Sequence, residues 1–364
     1  MTSLVTYEPY VDECISLFRQ RLVELAQAGA PVDMGHWMQC YAFDVIGMMT
    51  YSKRLGFLDH GEDVGGVIHA LEGFLLYASL AGLGPSLHPF VARFKNWLAG
   101  NKGAGRAYIA NFTQQRMTEQ RANPKTAVID DDENQTSELD FLSKFYSKHT
   151  KDPKNFTNYH VIAGCTQNMV AGYDTTAITL SACLYYLLKN PRVFAKLRDE
   201  VDRLDRQNGV LKGVSFKESQ EMPYLQAVIK EALRVHPATG LPLERVVPKG
   251  GVTICGQYFP EGVSIQQQRP PNSPFVFACK IVTLMTQAIV GVNSWVEHRN
   301  PRIWGDDSNE FKPERWLIDD KEKLSYLNRH WMPVSAIYLQ NDILQTRNIL
   351  LSSEHSSVLV RECA

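Results

Sequence analysis

One long stretch near the middle of the chain restricts the possible folds more than any other. It reads FTNYHVIAGCTQNMVAGYDTTAITLSACLYYLLKNP, and it is typical of a helix that takes Thr157 as its N-cap and stops before Pro191. Such a helix is about three times longer than the mean for globular proteins. Because it is apolar on nearly every side, we expect it to cross the middle of the molecule.

Within this helix, the segment AGYDTT at 171–176 is unusual. Gly172 costs about 1 kcal/mol relative to alanine in a helix interior. Asp174, Thr175 and Thr176 bring polar groups that must be paired where they are buried. A threonine can return its hydroxyl to the carbonyl one turn back and loosen the helix. The segment therefore predicts either a simple kink or a dent where a ligand approaches a row of proton donors.

Two further features place charge where it needs a partner. Glu231 and Arg234 in KEALR stand three residues apart on a strongly apolar helix, so they share one face and can pair. The alternative is an ordinary surface salt bridge, which stabilises a fold by well under about 1 kcal/mol. Arg315 in FKPERW offers a planar fork of donors, and we expect it to reach Glu231 and complete a cluster of three charges.

The remaining chain predicts a mainly helical protein with a minor β region. Residues 4–120 have the pattern of successive helices, and the first of them places Cys14, Ile15 and Phe18 at helical spacing. From 123 to 155 the composition turns polar and acidic, which predicts a mobile surface loop. LERVVPKGGVTICGQYFPEG is typical of short hairpin strands.

Composition excludes several classes of function. The formal net charge of -1 lacks the basic surplus that a nucleic-acid-binding surface needs. Seven scattered cysteines without a CxxC pattern indicate reduced thiols and neither a disulfide framework nor a zinc site. The first residues lack the features of a signal peptide, and Lys280 interrupts the most apolar run, so no membrane span is predicted there. The apolar stretch at 73–87 predicts a packed or interfacial segment.

Taken in order, A-G-x-D-T-T, then E-x-x-R within MPYLQAVIKEALRVHP, then Pro-Glu-Arg resemble the cytochrome P450 family, the haem-thiolate monooxygenases. GFLDHGEDVGGVIHAL and DFLSKF are most similar to the fungal branch that includes pisatin demethylase. The resemblance implies a mainly α cytochrome P450 fold with a long central helix and small β sheets.

The same resemblance implies roles for individual residues. Asp174 and Thr175 match the acid and alcohol that deliver protons to bound dioxygen, and Ala171 and Gly172 line the groove over the iron. Arg245 matches a strand residue that pairs with a propionate of haem b.

The resemblance also implies the structural setting and the partners. Glu231, Arg234 and Arg315 form the structural triad that locks the haem-side core. The implied reaction inserts one oxygen atom into a small apolar organic substrate, with electrons from NADPH-cytochrome P450 reductase. The family resides at the endoplasmic reticulum membrane; without the family's anchor before Met1, this chain is expected to be cytoplasmic or membrane-peripheral.

Two stretches depart from the family pattern, and both open with Val-Ser. The first, 263–287, interrupts the family pattern between FPEG and AIVGVNSW. The second begins at Val334, where the family continues into the glycine-rich loop whose cysteine binds iron. We hypothesise that both are retained introns. This predicts a partial domain over 1–333 with a foreign insert at 263–287, and an aberrant, unstructured tail over 334–364.

The missing loop leaves the activity of this chain open. Cys363 has neither the flanking glycines nor enough following chain to replace the axial ligand, so no metal-ligating residue is predicted. The first reading is an inactive monooxygenase chain. The alternatives are a haem-free binding or regulatory protein that keeps the helical pocket, and a protein that binds membranes through 73–87.

Overall fold

Helices make up most of the chain that the structure describes. The computed structural model describes residues 5–29, 31–83, 88–99, 106–122, 140–208, 214–240, 243–254, 256–261 and 289–333. The α-helices in these ranges are α1 (Glu8–Ala28), α2 (Met34–Tyr51), α3 (Phe57–His60), α4 (Val67–Leu83), α5 (His88–Ala99), α6 (Arg106–Ala122), α7 (Phe141–Lys151), α8 (Asn158–Lys189), α9 (Pro191–Asn208), α10 (Phe216–Gln220), α11 (Pro223–Val235), α12 (Ser294–Glu297), α13 (Pro301–Trp304) and α14 (Lys321–His330).

Short 3₁₀ turns and strands complete the described elements. The 3₁₀ turns are Val64–Gly66 and Pro313–Trp316, and the strands are β1 (Leu243–Val246), β2 (Val252–Ile254), β3 (Gln257–Phe259) and β4 (Ile289–Val292). The chain divides into two compact units, and α11 is cut near its end by the boundary. The first comprises residues up to Leu233 together with Phe311–Asp319, and the second comprises Arg234–Glu310 with the residues from Asp320 to 333.

The first unit is organised around α8, as the sequence predicts. The helix has 32 residues and Thr157 is its N-cap residue; in the capping box, the backbone N–H of Thr157 donates to Nδ1 of His160 at 3.1 Å. Helices α2, α6 and α7 pack against α8, and α2 makes the most extensive of these contacts. Each large apolar side chain buried in these contacts stabilises the fold by about 1.5–3 kcal/mol.

Two glycines of α8 allow neighbouring helices to come close. A Cβ at Gly172 would lie 3.0 Å from the side chain of Ile46 on α2. A Cβ at Gly164 would lie 2.8 Å from the ring of Phe145 on α7. Both gaps are shorter than ordinary van der Waals contact, so the missing side chains are what permits this packing.

The loop predicted for 123–155 is wrong for 141–151, where the structure has helix α7. Asp140 caps this helix by accepting a 2.7 Å hydrogen bond from the backbone N–H of Ser143. Leu142 is fully buried, so the helix is anchored by an apolar side as well as by its cap. The polar composition of this stretch does not indicate a helix. A short amphipathic helix of this kind is stabilised mainly by tertiary packing of its apolar side. Residues 123–139 lie outside the described residues.

The second unit holds the β structure. Strands β2 and β3 form the predicted hairpin, in which Val252 pairs with Phe259. Strand β1 instead pairs antiparallel with β4, so that Leu243 lies opposite Val292. The insert predicted at 263–287 and the tail predicted at 334–364 both lie outside the described residues.

One helical window among the described residues, Val64–Ala81, is long and apolar enough to cross a membrane. Its mean hydropathy is 1.5 and 17% of it is buried. Length and composition are the only basis for this finding, and a single such window is weak evidence for a span.

A buried carboxylate fixes the turn that leads into α3. Asp44 on α2 is fully buried, and its Oδ1 accepts hydrogen bonds from the backbone N–H groups of Leu55 (2.7 Å) and Gly56 (2.9 Å). Its Oδ2 accepts from Leu58 N–H at 2.8 Å. The side chain therefore replaces the partners that the first N–H groups of a helix lack.

We predict that Asp44→Ala lowers the free energy of unfolding by roughly 3 kcal/mol or more, because it leaves several buried N–H groups without an acceptor. Asp44→Asn keeps one carbonyl oxygen and should lose about half as much. Denaturant melts of both variants measure the difference. An alanine variant as stable as the wild type would contradict this account of the turn.

Candidate active site

The unusual segment of α8 divides between two faces of the helix. Ala171, Asp174 and Thr175 stand at i, i+3 and i+4, so they share one face. Ala171 is exposed, and Asp174 and Thr175 are half-buried. Tyr173 and Thr176 point into the core. Ala171, Asp174 and Thr175 therefore lie on the accessible face of α8.

The core side of the segment is held by ring stacking. The ring of Tyr173 stacks on Phe43 of α2 with centroids 4.2 Å apart, and Phe43 stacks on Phe57 at 4.4 Å. Gly172 lies beside Ile46 of α2, so its small size serves helix packing in this structure. The place predicted for Gly172 beside a haem stays a prediction.

Two threonines of α8 return their hydroxyls to carbonyl oxygens one turn back, as the sequence predicts. The Thr175 hydroxyl donates to the carbonyl oxygen of Ala171 at 2.8 Å. One turn later, the Thr179 hydroxyl donates to the carbonyl of Thr175, also at 2.8 Å. These bonds give the polar hydroxyls a partner while leaving lone pairs of Thr175 available on the accessible face.

The environment of Asp174 favours the protonated form of its carboxyl. Burial raises the pKa of its carboxyl above the ordinary value, and the negative charge of Glu72 on α4 raises it further. A carboxylic acid with a raised pKa, next to a hydroxyl on an accessible helix face, is suited to proton transfer. Sequence reasoning missed Glu72, since nothing in the pattern of α4 shows which residue faces α8.

Glu231 is a carboxylate held by several donors in the first unit. It is fully buried on α11, and its Oε1 accepts from Nε of Arg315 and from the backbone N–H of Lys312, each at 2.9 Å. Its Oε2 accepts from Nε1 of Trp316, also at 2.9 Å. The structure therefore brings Arg315 to Glu231. Trp316 and Lys312 are partners that the sequence analysis did not find.

Arg234 belongs to the second unit, where it is fully buried. Its guanidinium donates to three backbone carbonyls, those of His298 (2.6 Å), Ser308 (2.7 Å) and Glu310 (2.9 Å). It also lies over the ring of Trp304, 5.2 Å from the centroid. Arg234 thus holds the segment from His298 to Glu310 in place through the backbone carbonyl groups of that segment.

Arg245 lies on β1, where it pairs in register with Val290 of β4. Its predicted contact with a haem propionate stays a prediction.

Glu314, next to Arg315, ties the same segment to α9. Its Oε1 accepts from Arg192 Nη1 at 2.8 Å, Lys196 Nζ at 2.7 Å and the Tyr224 hydroxyl at 3.1 Å. Burial acts to raise the pKa of Glu314, but these hydrogen bonds outweigh it and lower the pKa to about 2. The Pro-Glu-Arg turn is therefore held by two carboxylates, one buried and one partly exposed.

The described cysteines do not fit the axial ligand that haem-thiolate chemistry requires. Cys14, Cys40, Cys165 and Cys183 are buried free thiols. Burial raises the pKa of Cys40, Cys165 and Cys183 to about 12, so these side chains are protonated near neutral pH. Over the described ranges, no group of three His, Cys, Asp or Glu side chains is arranged to hold a metal ion.

Comparisons with known proteins agree on one family. The family model of cytochrome P450 matches residues 1–268. A cytochrome P450 monooxygenase of Aspergillus terreus is 36% identical over 326 residues, which cover 89% of this chain and 60% of that protein. Pisatin demethylase of Fusarium vanettenii is 36% identical over 320 residues, which cover 87% of this chain and 55% of that protein.

A solved structure has a similar fold. The crystal structure of a cytochrome P450, CYP102L1, matches with a TM-score of 0.65 at 20% identity, over 95% of this chain and 68% of that chain. This chain belongs to the cytochrome P450 family, a family of monooxygenases. The predicted family and the predicted mainly helical fold are confirmed. The chain spans 60% and 55% of the length of the two fungal relatives.

We predict that Glu231→Ala lowers the free energy of unfolding by about 3–5 kcal/mol, because it leaves the buried guanidinium of Arg315 without its carboxylate. Glu231→Gln keeps an acceptor oxygen but loses the charge, so its loss should be smaller. Thermal and denaturant melts measure both.

A matched control is Arg192→Ala, which breaks an exposed ion pair to the neighbouring Glu314 and should lose less than about 1 kcal/mol. If Glu231→Ala were no more destabilising than Arg192→Ala, Glu231 would not anchor the Pro-Glu-Arg turn.

Proposed function

We propose that this chain carries the proton-delivering helix and the structural anchor of a cytochrome P450 monooxygenase. The observation that carries the proposal is the accessible face of α8, where Asp174 and Thr175 stand side by side. The raised pKa of Asp174 supports its role as a proton donor. Ala171 and Gly172 complete the segment that would line the groove for a ligand.

The other predicted residues serve this face indirectly. We propose that Glu231, Arg234 and Arg315 fix the core on the side of the cofactor, and that Arg245 pairs with a propionate. When bound to a complete chain of this family, haem b supplies the oxygen-activating chemistry. The residues of this chain hold protons and keep the α8 face in place.

The substrate and the redox partner follow from the family. We propose a small apolar organic substrate and electron supply from NADPH-cytochrome P450 reductase. A membrane-peripheral location is supported by large apolar side chains exposed on α4 and α5, with Leu76 64% exposed and Trp97 76% exposed.

We further propose that the chain as given does not form a haem-thiolate centre. After HWMP the sequence continues as VSAIYLQ, without the glycine-rich loop and cysteine expected from the resemblance. The described thiols are buried, and burial keeps those of Cys40, Cys165 and Cys183 protonated near neutral pH, which argues against their substituting for that loop. Retained introns at 263–287 and from Val334 would explain both departures from the family pattern.

A haem-free binding or regulatory protein is the second candidate. It is favoured by the protonated thiols together with an intact helical core. This candidate predicts that the purified chain folds and binds apolar compounds without haem, which a thermal-shift screen with added haem as comparison would measure.

The carbon-monoxide difference spectrum of the reduced chain, expressed with a supply of haem, tests the main proposal. We predict that the spectrum lacks the band of a thiolate-ligated haem. The matched control is the protein translated from spliced message, which should regain the band. In that control, Asp174→Asn should lower turnover by about 10²-fold or more, because proton transfer is impaired.

A clear thiolate band from the chain as given would overturn the proposed loss of the ligand. A control in which Asp174→Asn leaves turnover unchanged would overturn the proposed role of the α8 face. Message that keeps both stretches in every transcript would contradict the intron hypothesis.

A further inference from the structure

His298 is a fully buried side chain of the second unit with a backbone partner at each ring nitrogen. Its Nε2 accepts a hydrogen bond from the backbone N–H of Met332 at 2.8 Å. Its Nδ1 lies 3.0 Å from the carbonyl oxygen of Arg234. An N–H can only donate and a carbonyl can only accept, so the ring must carry its proton on Nδ1.

The contact between His298 and Arg234 is reciprocal. The His298 ring donates to the carbonyl of Arg234, and the Arg234 guanidinium donates to the carbonyl of His298 at 2.6 Å. The His298 ring also meets Trp304 edge-on, with centroids 6.0 Å apart and an interplanar angle of 83°. The ring is therefore fixed in both position and tautomer.

Through its second nitrogen, His298 reaches the chain just beyond α14. Met332 follows Trp331, which ends that helix with an extended backbone. Its N–H points at His298, 34 residues earlier in the chain. One imidazole thus joins the end of α11 to the main chain at Met332.

We propose that His298 is a positioning residue that transmits the location of the buried Arg234 to the main chain at Trp331–Pro333. The Nδ1–H tautomer is essential, because only a bare Nε2 can accept from Met332. A core histidine that merely fills space would not need this acceptor. This inference deepens the proposed structural role of Arg234. Any importance of His298 for the reaction rests on that proposed role, but the contacts of His298 involve no cofactor.

Two substitutions of His298 distinguish the hydrogen bond made by Nδ1 from the one made by Nε2. His298→Asn can supply a donor near the position of Nδ1 but is too short to reach Met332. His298→Gln can place its amide oxygen near the position of Nε2 and accept from Met332. Hydrogen exchange at the Met332 amide, in the full chain near neutral pH, measures the consequence.

We expect His298→Asn to speed exchange at Met332 by about tenfold, as the loss of one hydrogen bond implies, and His298→Gln to retain most of the protection. The amide of Leu324, bonded to the carbonyl of Asp320 at 2.9 Å within α14, is the internal control and should be unchanged in both variants. Equal exchange at Met332 in the wild type and the Asn variant would overturn the proposal.

A second measurement needs no variant and covers the case in which the Asn variant does not fold. Nitrogen chemical shifts of the wild-type imidazole report which nitrogen is protonated. The proposal requires Nδ1–H with a bare Nε2, and an Nε2–H tautomer would sink it. Neither readout involves haem, so a failure here is distinct from a failure of the carbon-monoxide test.

Discussion

The structure of the first unit depends on packing other helices against a single helix of 32 residues, thirteen of which are buried. A helix of this length can be covered only if its neighbours approach closely, and α8 meets that requirement with small residues at the contacts. Gly164 admits the ring of Phe145, and Gly172 admits Ile46. Tyr173 then fills the next position with a stacked ring. The face left accessible is the one that bears Ala171, Asp174 and Thr175.

This arrangement explains how a polar segment persists in a buried helix. The Thr175 and Thr179 hydroxyls find carbonyl partners one turn back, so they do not leave unsatisfied groups. Asp174 has no such solution on its own helix, and burial together with Glu72 favours its protonated form. Burial destabilises the charged form of the Asp174 carboxylate. The same destabilisation raises its pKa and favours the protonated carboxyl.

Two other buried charges fix the surroundings by different means. Glu231 gathers three donors from the segment around Arg315. Arg234 gathers three carbonyls from the segment that follows His298. Breaking either set would leave a charge in a dry environment, so each of these two segments is held firmly by a buried charge.

Much of this could be predicted from sequence because the signals are local. The bounds of α8 follow from Thr157 and Pro191, and the apolar stripe of α11 follows from its spacing. Arg315 was placed against Glu231 because an isolated arginine on a turn needs a distant acid. The rest depends on tertiary contacts. Helix α7 is hidden in a polar stretch, and the pairing of β1 with β4 joins residues more than forty positions apart. Glu72 and His298 become meaningful only when the fold brings their partners to them.

The titration of the Asp174 carboxyl, followed by carboxyl-carbon nuclear magnetic resonance, tests the central claim about the α8 face most directly. The account predicts a midpoint above the ordinary value of 3.8, and a decrease toward that value in Glu72→Gln as the neighbouring charge is removed. A residual elevation should remain in that variant, since burial is the larger cause. A midpoint at or below 3.8 in the wild type would contradict the claim that burial and Glu72 favour the protonated form of Asp174.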